Sequence, residues 1–132
     1  MIIDVLSELS DNQDASSFTA AGPNASTNVI DTQKADRNLG EGTQLILYAS
    51  VGDTAIAGTS STLAVILEDS PDNSTWTTRL QSEPIAEASL VAGAEIFRGA
   101  IPEKTQRYLR INWDVGAADL TAGKVNAHIG IG

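Results

Sequence analysis

The chain has 132 residues, of which 42% are hydrophobic, and a formal net charge of −9 at pH 7. This length suits a single domain with one core, and the absence of cysteine excludes disulfides and thiolate metal ligands. Its eight Lys and Arg residues argue against a nucleic-acid partner, because phosphate binding requires clustered cations. No signal peptide is recognisable and no apolar run approaches the ~20 residues of a membrane helix, so we expect a soluble protein without a membrane partner.

The first 25 residues differ in composition from the rest of the chain. After a short apolar start they are dominated by Ser, Asp, Asn and Gln. This change predicts an N-terminal arm, residues 1–25, in front of a β-sandwich domain, residues 26–132. Phe18 is the one large anchor near the end of the arm, and Gly-Pro-Asn at 22–24 predicts a turn.

Alternation of apolar and polar residues, which is typical of half-buried β-strands, begins after the arm. It is clearest at 108–115, where Leu109, Ile111 and Trp113 share one face while Tyr108 and Arg110 share the other. The pattern predicts strands at 27–30, 43–51, 62–68, 75–81, 95–101, 108–115 and 124–131.

The segments between these strands are rich in Gly, Pro, Asn, Asp and Ser, the residues that tight turns favour. No helical periodicity of comparable length competes with the strand pattern. About eight short strands at this spacing predict an all-β fold, an antiparallel β-sandwich of the jelly-roll type with an extended N-terminal arm.

Several stretches together resemble one family, the small cement or decoration proteins of short-tailed bacteriophage capsids. The resemblance spans nearly the whole chain and lies in the order and spacing of the stretches rather than in one motif. The stretches are STNVID (26–31), RNLGEG (37–42), LEDSPDNSTWTT (67–78), LVAGAEIFRG (90–99), RYLRIN (107–112) and TAG (121–123).

The resemblance implies a jelly-roll protein that forms a homodimer and binds the outside of the icosahedral shell built by the major capsid protein. There it would reinforce contacts between capsid subunits against the pressure of the packaged DNA. It also implies a location on the outer capsid surface of the virion after synthesis in the host bacterial cytoplasm. Catalysis and a cofactor are not implied.

Two groups of residues are candidates for contact with the shell or with a dimer mate. The first is apolar and lies at the start of the arm; its members are Ile2, Ile3, Val5 and Leu6. The second combines bases with a tyrosine from the last third of the chain; its members are Arg98, Arg107, Tyr108 and Arg110.

Catalytic and metal-binding readings find little support in the sequence, so we expect neither an enzyme nor a metal site. His128 is the single histidine, lies on the polar face of a strand, and is predicted to be an exposed structural residue because no partner that would orient a general base is evident. Asp69, Asp72 and Asn73 offer oxygen ligands suited to Ca²⁺. The Asp-Ser-Pro-Asp-Asn-Ser segment at 69–74 is also what a tight connection between strands favours, and we interpret it as a turn.

The alternative function is a carbohydrate-binding or receptor-binding accessory module of a virion. It depends on an aromatic platform for sugar stacking. Trp113 lies in phase with core residues and is predicted to be buried. Trp76 follows a polar loop; burial is the favoured prediction, and a position at the rim is the alternative.

Overall fold

The computed structural model describes residues 8–20, 22, 24–26, 28–31, 45–101 and 106–131. Within them the chain is built from β-strands, with one short 3-10 turn at Glu87–Ser89. In chain order the strands are β1 (Glu8–Asp14), β2 (Ile30–Asp31), β3 (Leu45–Val51), β4 (Ala57–Gly58), β5 (Thr62–Ser70), β6 (Thr77–Gln81), β7 (Ile85–Ala86), β8 (Glu95–Ala100), β9 (Tyr108–Gly116), β10 (Leu120–Ala122) and β11 (Lys124–Ile131).

Two antiparallel sheets form the sandwich. The first sheet has the strand order β1-β11-β3-β8, and the second has the order β2-β9-β5-β6 with the short β7 also pairing with β5. The short strands β4 and β10 pair with each other. When β4, β7 and β10 are set aside, the other eight strands can be numbered 1 to 8 in chain order. In that numbering the first sheet has the order 1-8-3-6 and the second has the order 2-7-4-5. This is the jelly-roll order, and it confirms the fold class predicted from the sequence.

The core lies between the sheets and follows from period-two alternation. Strand β9 alternates without a break between buried and half-buried residues, and its inward residues Leu109, Ile111, Trp113 and Val115 are buried. Strand β5 is buried over most of its length; β9 and β6 pair with its two edges, and neighbouring side chains such as Arg110, which contacts Glu68, cover part of its outer face. Trp113 is fully buried, as its phase predicted.

Six of the seven predicted strands agree with the observed ones except near their ends. The strand predicted at 27–30 shares only Ile30 with β2, and Asn28 and Val29 lie outside any strand. Strand β11 coincides with the predicted segment. Strand β5 continues to Ser70, two residues beyond the prediction, since it pairs with β9 as far as Tyr108. Strand β6 begins at Thr77 rather than at residue 75, because the amide of Thr75 is hydrogen-bonded in the preceding turn.

Part of the predicted arm lies in the sandwich. Strand β1 pairs with β11 at the edge of the first sheet, with register shifts along its length. Leu9 and Phe18 belong to the core cluster, and the Phe18 ring stacks on Trp113 with centroids 6.4 Å apart. Phe18 is therefore an anchor, as the sequence indicated. Periodicity did not reveal β1, because Glu8–Asp14 holds one large apolar residue and its register is irregular.

Candidate interaction surfaces

The structure separates the predicted contact residues into different surfaces. Arg98 lies on β8, at one edge of the first sheet. Tyr108 and Arg110 lie on β9 in the second sheet, and Arg107 directly precedes them. These bases therefore do not share one patch. The apolar residues predicted as contacts, Ile2, Ile3, Val5 and Leu6, lie outside the described residues.

A row of stacked side chains crosses the outer face of the first sheet. Tyr48 on β3 is in register with Arg98 on β8 and with His128 on β11. The guanidinium carbon of Arg98 lies 5.1 Å from the centroid of the Tyr48 ring. The Tyr48 and His128 rings are stacked with centroids 5.1 Å apart and an interplanar angle of 14°. We call this set, Arg98, Tyr48 and His128, the Tyr48 row.

His128 lies on the predicted polar face, and it is half-buried rather than exposed, because it stacks on Tyr48. Its stacking on Tyr48 follows from their direct cross-strand pairing, which brings side chains of neighbouring strands within contact distance. Arg98 is exposed at the end of the row. The row therefore presents a cation on an aromatic support at the edge of the sheet.

At the start of β11, two charges of opposite sign are paired between β1 and β11. Asp14 is in register with Lys124. The backbone amide and the hydroxyl of Ser16, together with Lys124, hold the pKa of Asp14 below its ordinary value. The carboxylate therefore stays ionised in mildly acidic solution and partly offsets the lysine charge at this edge.

On the second sheet, the Arg110 side chain contacts both Glu68 and Trp76. Its Nε donates a 2.8 Å hydrogen bond to Oε1 of Glu68, its cross-strand partner on β5. Its guanidinium carbon lies 4.2 Å from the centroid of the Trp76 ring. Trp76 is half-buried, so the structure places it at the rim under Arg110 rather than in the core. Arg107 similarly lies 5.0 Å from the centroid of the Tyr108 ring.

The acidic loop after β5 is a hydrogen-bonded turn, which confirms the turn interpretation. Oδ1 of Asp72 accepts hydrogen bonds from the amides of Ser74 and Thr75, each at 2.9 Å, and from the hydroxyl of Ser70 at 3.0 Å. These bonds, that of the Thr75 amide first, lower the pKa of Asp72. Asn73 takes a left-handed conformation, with φ of 60°, that Asn tolerates.

Asp69 does not share a site with Asp72. Its side chain is fully buried, and Oδ2 accepts hydrogen bonds from Nε of Arg79 at 2.7 Å and from the amide of Gln106 at 2.9 Å. Among the described residues, no group of three or more His, Asp or Glu side chains is arranged to hold a metal ion.

Comparison of the sequence with models of known protein families gives a match. The model of one family, described as Bbp16, matches residues 9–129. The chain belongs to the Bbp16 family. The match runs from β1 to β11, so it includes both sheets and residues 9–25 of the segment that the sequence assigned to the arm. It supports a phage-associated family, the coarser part of the resemblance seen in the sequence.

No curated protein matches the chain. In the part of the chain that the structure describes, no helix has the length and apolar character needed to cross a membrane.

Proposed function

We propose that this protein is a bacteriophage capsid cement, or decoration, protein that binds the outer surface of the major capsid protein shell as a homodimer and stabilises it. The observation that carries the proposal is the Bbp16 family match over residues 9–129. The sequence stretches that resemble cement proteins lie within or beside that range. In this proposal the protein works by binding and has no enzymatic activity, and it resides on the outside of the virion after synthesis in the host cytoplasm.

Stabilisation follows from binding that is selective for the assembled shell. A ligand that binds the assembled state alone stabilises it by mass action, by roughly 4 kcal/mol per site when free ligand is about a thousand times its dissociation constant. A dimer adds to this effect, because a molecule bound through one subunit presents the other at a high effective concentration. Many weak contacts, repeated over the capsid lattice, then sum to a large free energy of stabilisation.

The exposed face of the first sheet supports a binding role through the Tyr48 row. Arg98 is exposed while its guanidinium lies over the Tyr48 ring, so the side chain is partly ordered before any partner binds. Pre-ordering lowers the entropy cost of making a contact. Arg110 is instead fixed by Glu68 and Trp76, so a contact through it would use a guanidinium that is already engaged.

The test is co-sedimentation of the purified protein with mature capsids that have been stripped of it, followed by heating or osmotic shock. Saturable binding that raises the temperature or the shock at which capsids rupture is expected. The matched control is the same protein unfolded beforehand, which should not sediment with capsids. If the folded protein does not bind, or binds without raising the rupture threshold, the cement function is wrong.

Two further parts of the proposal have their own measurements. Sedimentation equilibrium on the free protein tests the homodimer. Truncation of residues 1–7 tests whether the apolar arm residues contribute, through the change in both dimerisation and capsid affinity. Retention of both properties would exclude the arm as a contact element.

The carbohydrate-binding alternative gains no support from the geometry. It required Trp76 as an open stacking platform, and Arg110 lies over one face of that ring at 4.2 Å. Trp113, the other tryptophan, has no exposed surface. A glycan array with Trp76→Ala as the control variant would still detect such binding.

A further inference from the structure

A cavity of about 340 Å³ lies beside β9, where the chain turns before it joins the edge of the second sheet. Thr19, Ala20 and Asn24 line one wall, and Asn112 and Asp114 of β9 line the other. We call it the Asp114 cavity. Its volume falls in the range of small-ligand sites.

The wall of the Asp114 cavity is built in advance of any ligand. Asn24 is 8% exposed, and its side chain accepts from the amide of Thr19 and donates to the carbonyl oxygens of Thr19 and Trp113, all at 2.9 Å. The amide of Asn24 also donates to Oδ1 of Asn112 at 3.0 Å. Phe18, which precedes this wall, is buried against Trp113. The cavity is therefore pre-organised rather than a gap between loose loops.

The chemistry of the Asp114 cavity is anionic. Asp114 is half-buried; its backbone pairs with Ala64 in the sheet, and among the described residues no hydrogen bond or ion pair reaches its carboxylate. A second carboxylate, Asp119, lies beside the same wall, because its Oδ1 accepts a 2.9 Å hydrogen bond from the amide of Ala20. No Lys or Arg is among the described residues that line the cavity. A half-buried carboxylate without a cation favours a positively charged ligand.

Three ligand classes fit this chemistry less well. An anion would face the Asp114 carboxylate without a compensating base. A sugar would lack a stacking surface, because the Trp113 ring beneath the cavity is fully buried. A divalent metal would find no set of three acidic or imidazole ligands among the described residues.

An arginine side chain matches the Asp114 cavity. Its planar guanidinium pairs with a carboxylate through two hydrogen bonds, and its apolar stem suits contact with Ala20. We propose that the Asp114 cavity receives an arginine side chain projecting from the protein surface on which this chain docks. That surface is the capsid shell if the proposed function is right, so this inference rests on it for the identity of the partner but not for the chemistry of the cavity.

The first experiment tests the cavity without a capsid. The ¹⁵N-labelled protein is titrated with N-acetyl-arginine amide to about millimolar concentration, and amide chemical shifts are followed. Saturable shifts confined to the amides of the lining residues, which are Thr19, Ala20, Gly22, Asn24 and residues 112–115, are expected. The neutral isostere N-acetyl-citrulline amide serves as the control probe and should give none. Equal shifts with citrulline, tighter binding of the lysine derivative, or saturation of the same amides by a monosaccharide would each overturn the proposal.

The second experiment uses two variants matched in charge. Asp114→Asn keeps the shape of the side chain, and Glu83→Gln removes one exposed carboxylate in the connection that follows β6, the strand at the opposite edge of the same sheet. Asp114→Asn should weaken binding of the arginine derivative about ten-fold or more, the effect of losing a charged hydrogen bond, whereas Glu83→Gln should not change it. Unchanged thermal unfolding of Asp114→Asn shows that the variant is folded. Equal affinities of the two variants would exclude the Asp114 carboxylate as the binding group.

Capsid co-sedimentation of both variants separates this inference from the proposed function. If the wild type and Glu83→Gln bind capsids and Asp114→Asn binds about ten-fold more weakly, both stand. If all three bind equally, the cement function stands and the arginine contact is wrong. If none binds, the cement function is wrong, and the titration alone decides what the cavity accepts.

Discussion

A hydrogen bond between β1 and the core predicts that Ser10→Ala destabilises the protein. Ser10 is 2% exposed, and its Oγ accepts a 3.3 Å hydrogen bond from the indole Nε1 of Trp113, which is fully buried. The substitution leaves that donor buried without an acceptor. An orphaned buried group costs about 1–3 kcal/mol, and the long donor–acceptor distance favours the lower part of this range, about 1–2 kcal/mol.

The assay is urea unfolding followed by tryptophan fluorescence. Ser10→Ala should lower the midpoint without changing the slope, because the area exposed on unfolding is nearly the same. Ser17→Ala, at an exposed position of the same segment, is the matched control. In a Trp113→Phe background, which has no indole donor, the effect of Ser10→Ala should shrink by about 1 kcal/mol.

The prediction distinguishes a strand from a loose arm. If residues 8–14 were an arm that leaves the sandwich freely, Ser10→Ala would change the free energy of unfolding no more than Ser17→Ala does. A difference between the two variants of less than about 0.5 kcal/mol, the usual range for surface substitutions, would refute the reasoning.

Other perturbations address the surface pairs and one glycine. Because the folded-state pKa of Asp72 is lowered from the ordinary 3.8, its ionised form stabilises the fold above that pH, and the contribution is lost as pH falls below it. Asp72→Asn should therefore make acid unfolding, followed by circular dichroism, less steep below pH 3.8. Arg110→Lys keeps the charge but loses both the guanidinium over Trp76 and the Nε hydrogen bond to Glu68, and should lower the free energy of unfolding in urea by about 0.5–1 kcal/mol; no loss would show that neither contact is stabilising. Gly123→Ala should destabilise by more than about 1 kcal/mol in thermal unfolding, because Gly123 has a φ of 134° and a Cβ would lie 2.5 Å from Cδ1 of Ile56; a stable variant would contradict the strain argument.

The Tyr48 row and the Asp114 cavity lie on different sheets. The Tyr48 row presents Arg98 from the first sheet, and the cavity presents Asp114 beside β9 in the second. If both are contact sites, as proposed above, one presents a cation and the other an anion. Comparing Arg98→Glu with Asp114→Asn, each assayed for dimerisation and for capsid binding, would assign the two sites to their partners.

Most strands of the two sheets could be predicted because the alternation of apolar and polar residues lies within each strand. In β9 and β11, side chains alternate between the core and the outer face, so neighbouring residues in sequence report the burial of each face. The buried position of Trp113 followed from its phase alone. Strand β1 was hidden because its bulges break the alternation and its buried residue Ser10 is polar.

The contact residues were harder to predict, because charge on an outward face says nothing about what lies opposite. Arg110 looked free in the sequence, and it is paired with Glu68, 42 positions away. Arg98 and Arg110 looked like one basic group, and they lie on different sheets. The wall of the Asp114 cavity was predicted as a turn in an arm, and its bonds to β9 span 88 and 89 positions.

The amino-acid sequence alone thus determined the fold class, the main strands and the buried faces, since alternation and turn residues act over a few neighbouring positions. The tertiary structure decided which side chains meet: the stacking of Arg98, Tyr48 and His128, the pairing of Arg110 with Glu68, and the joining of Asn24 to β9. Those contacts depend on strand order and register between distant segments, and in a jelly roll strands that are neighbours in a sheet are seldom consecutive in the chain.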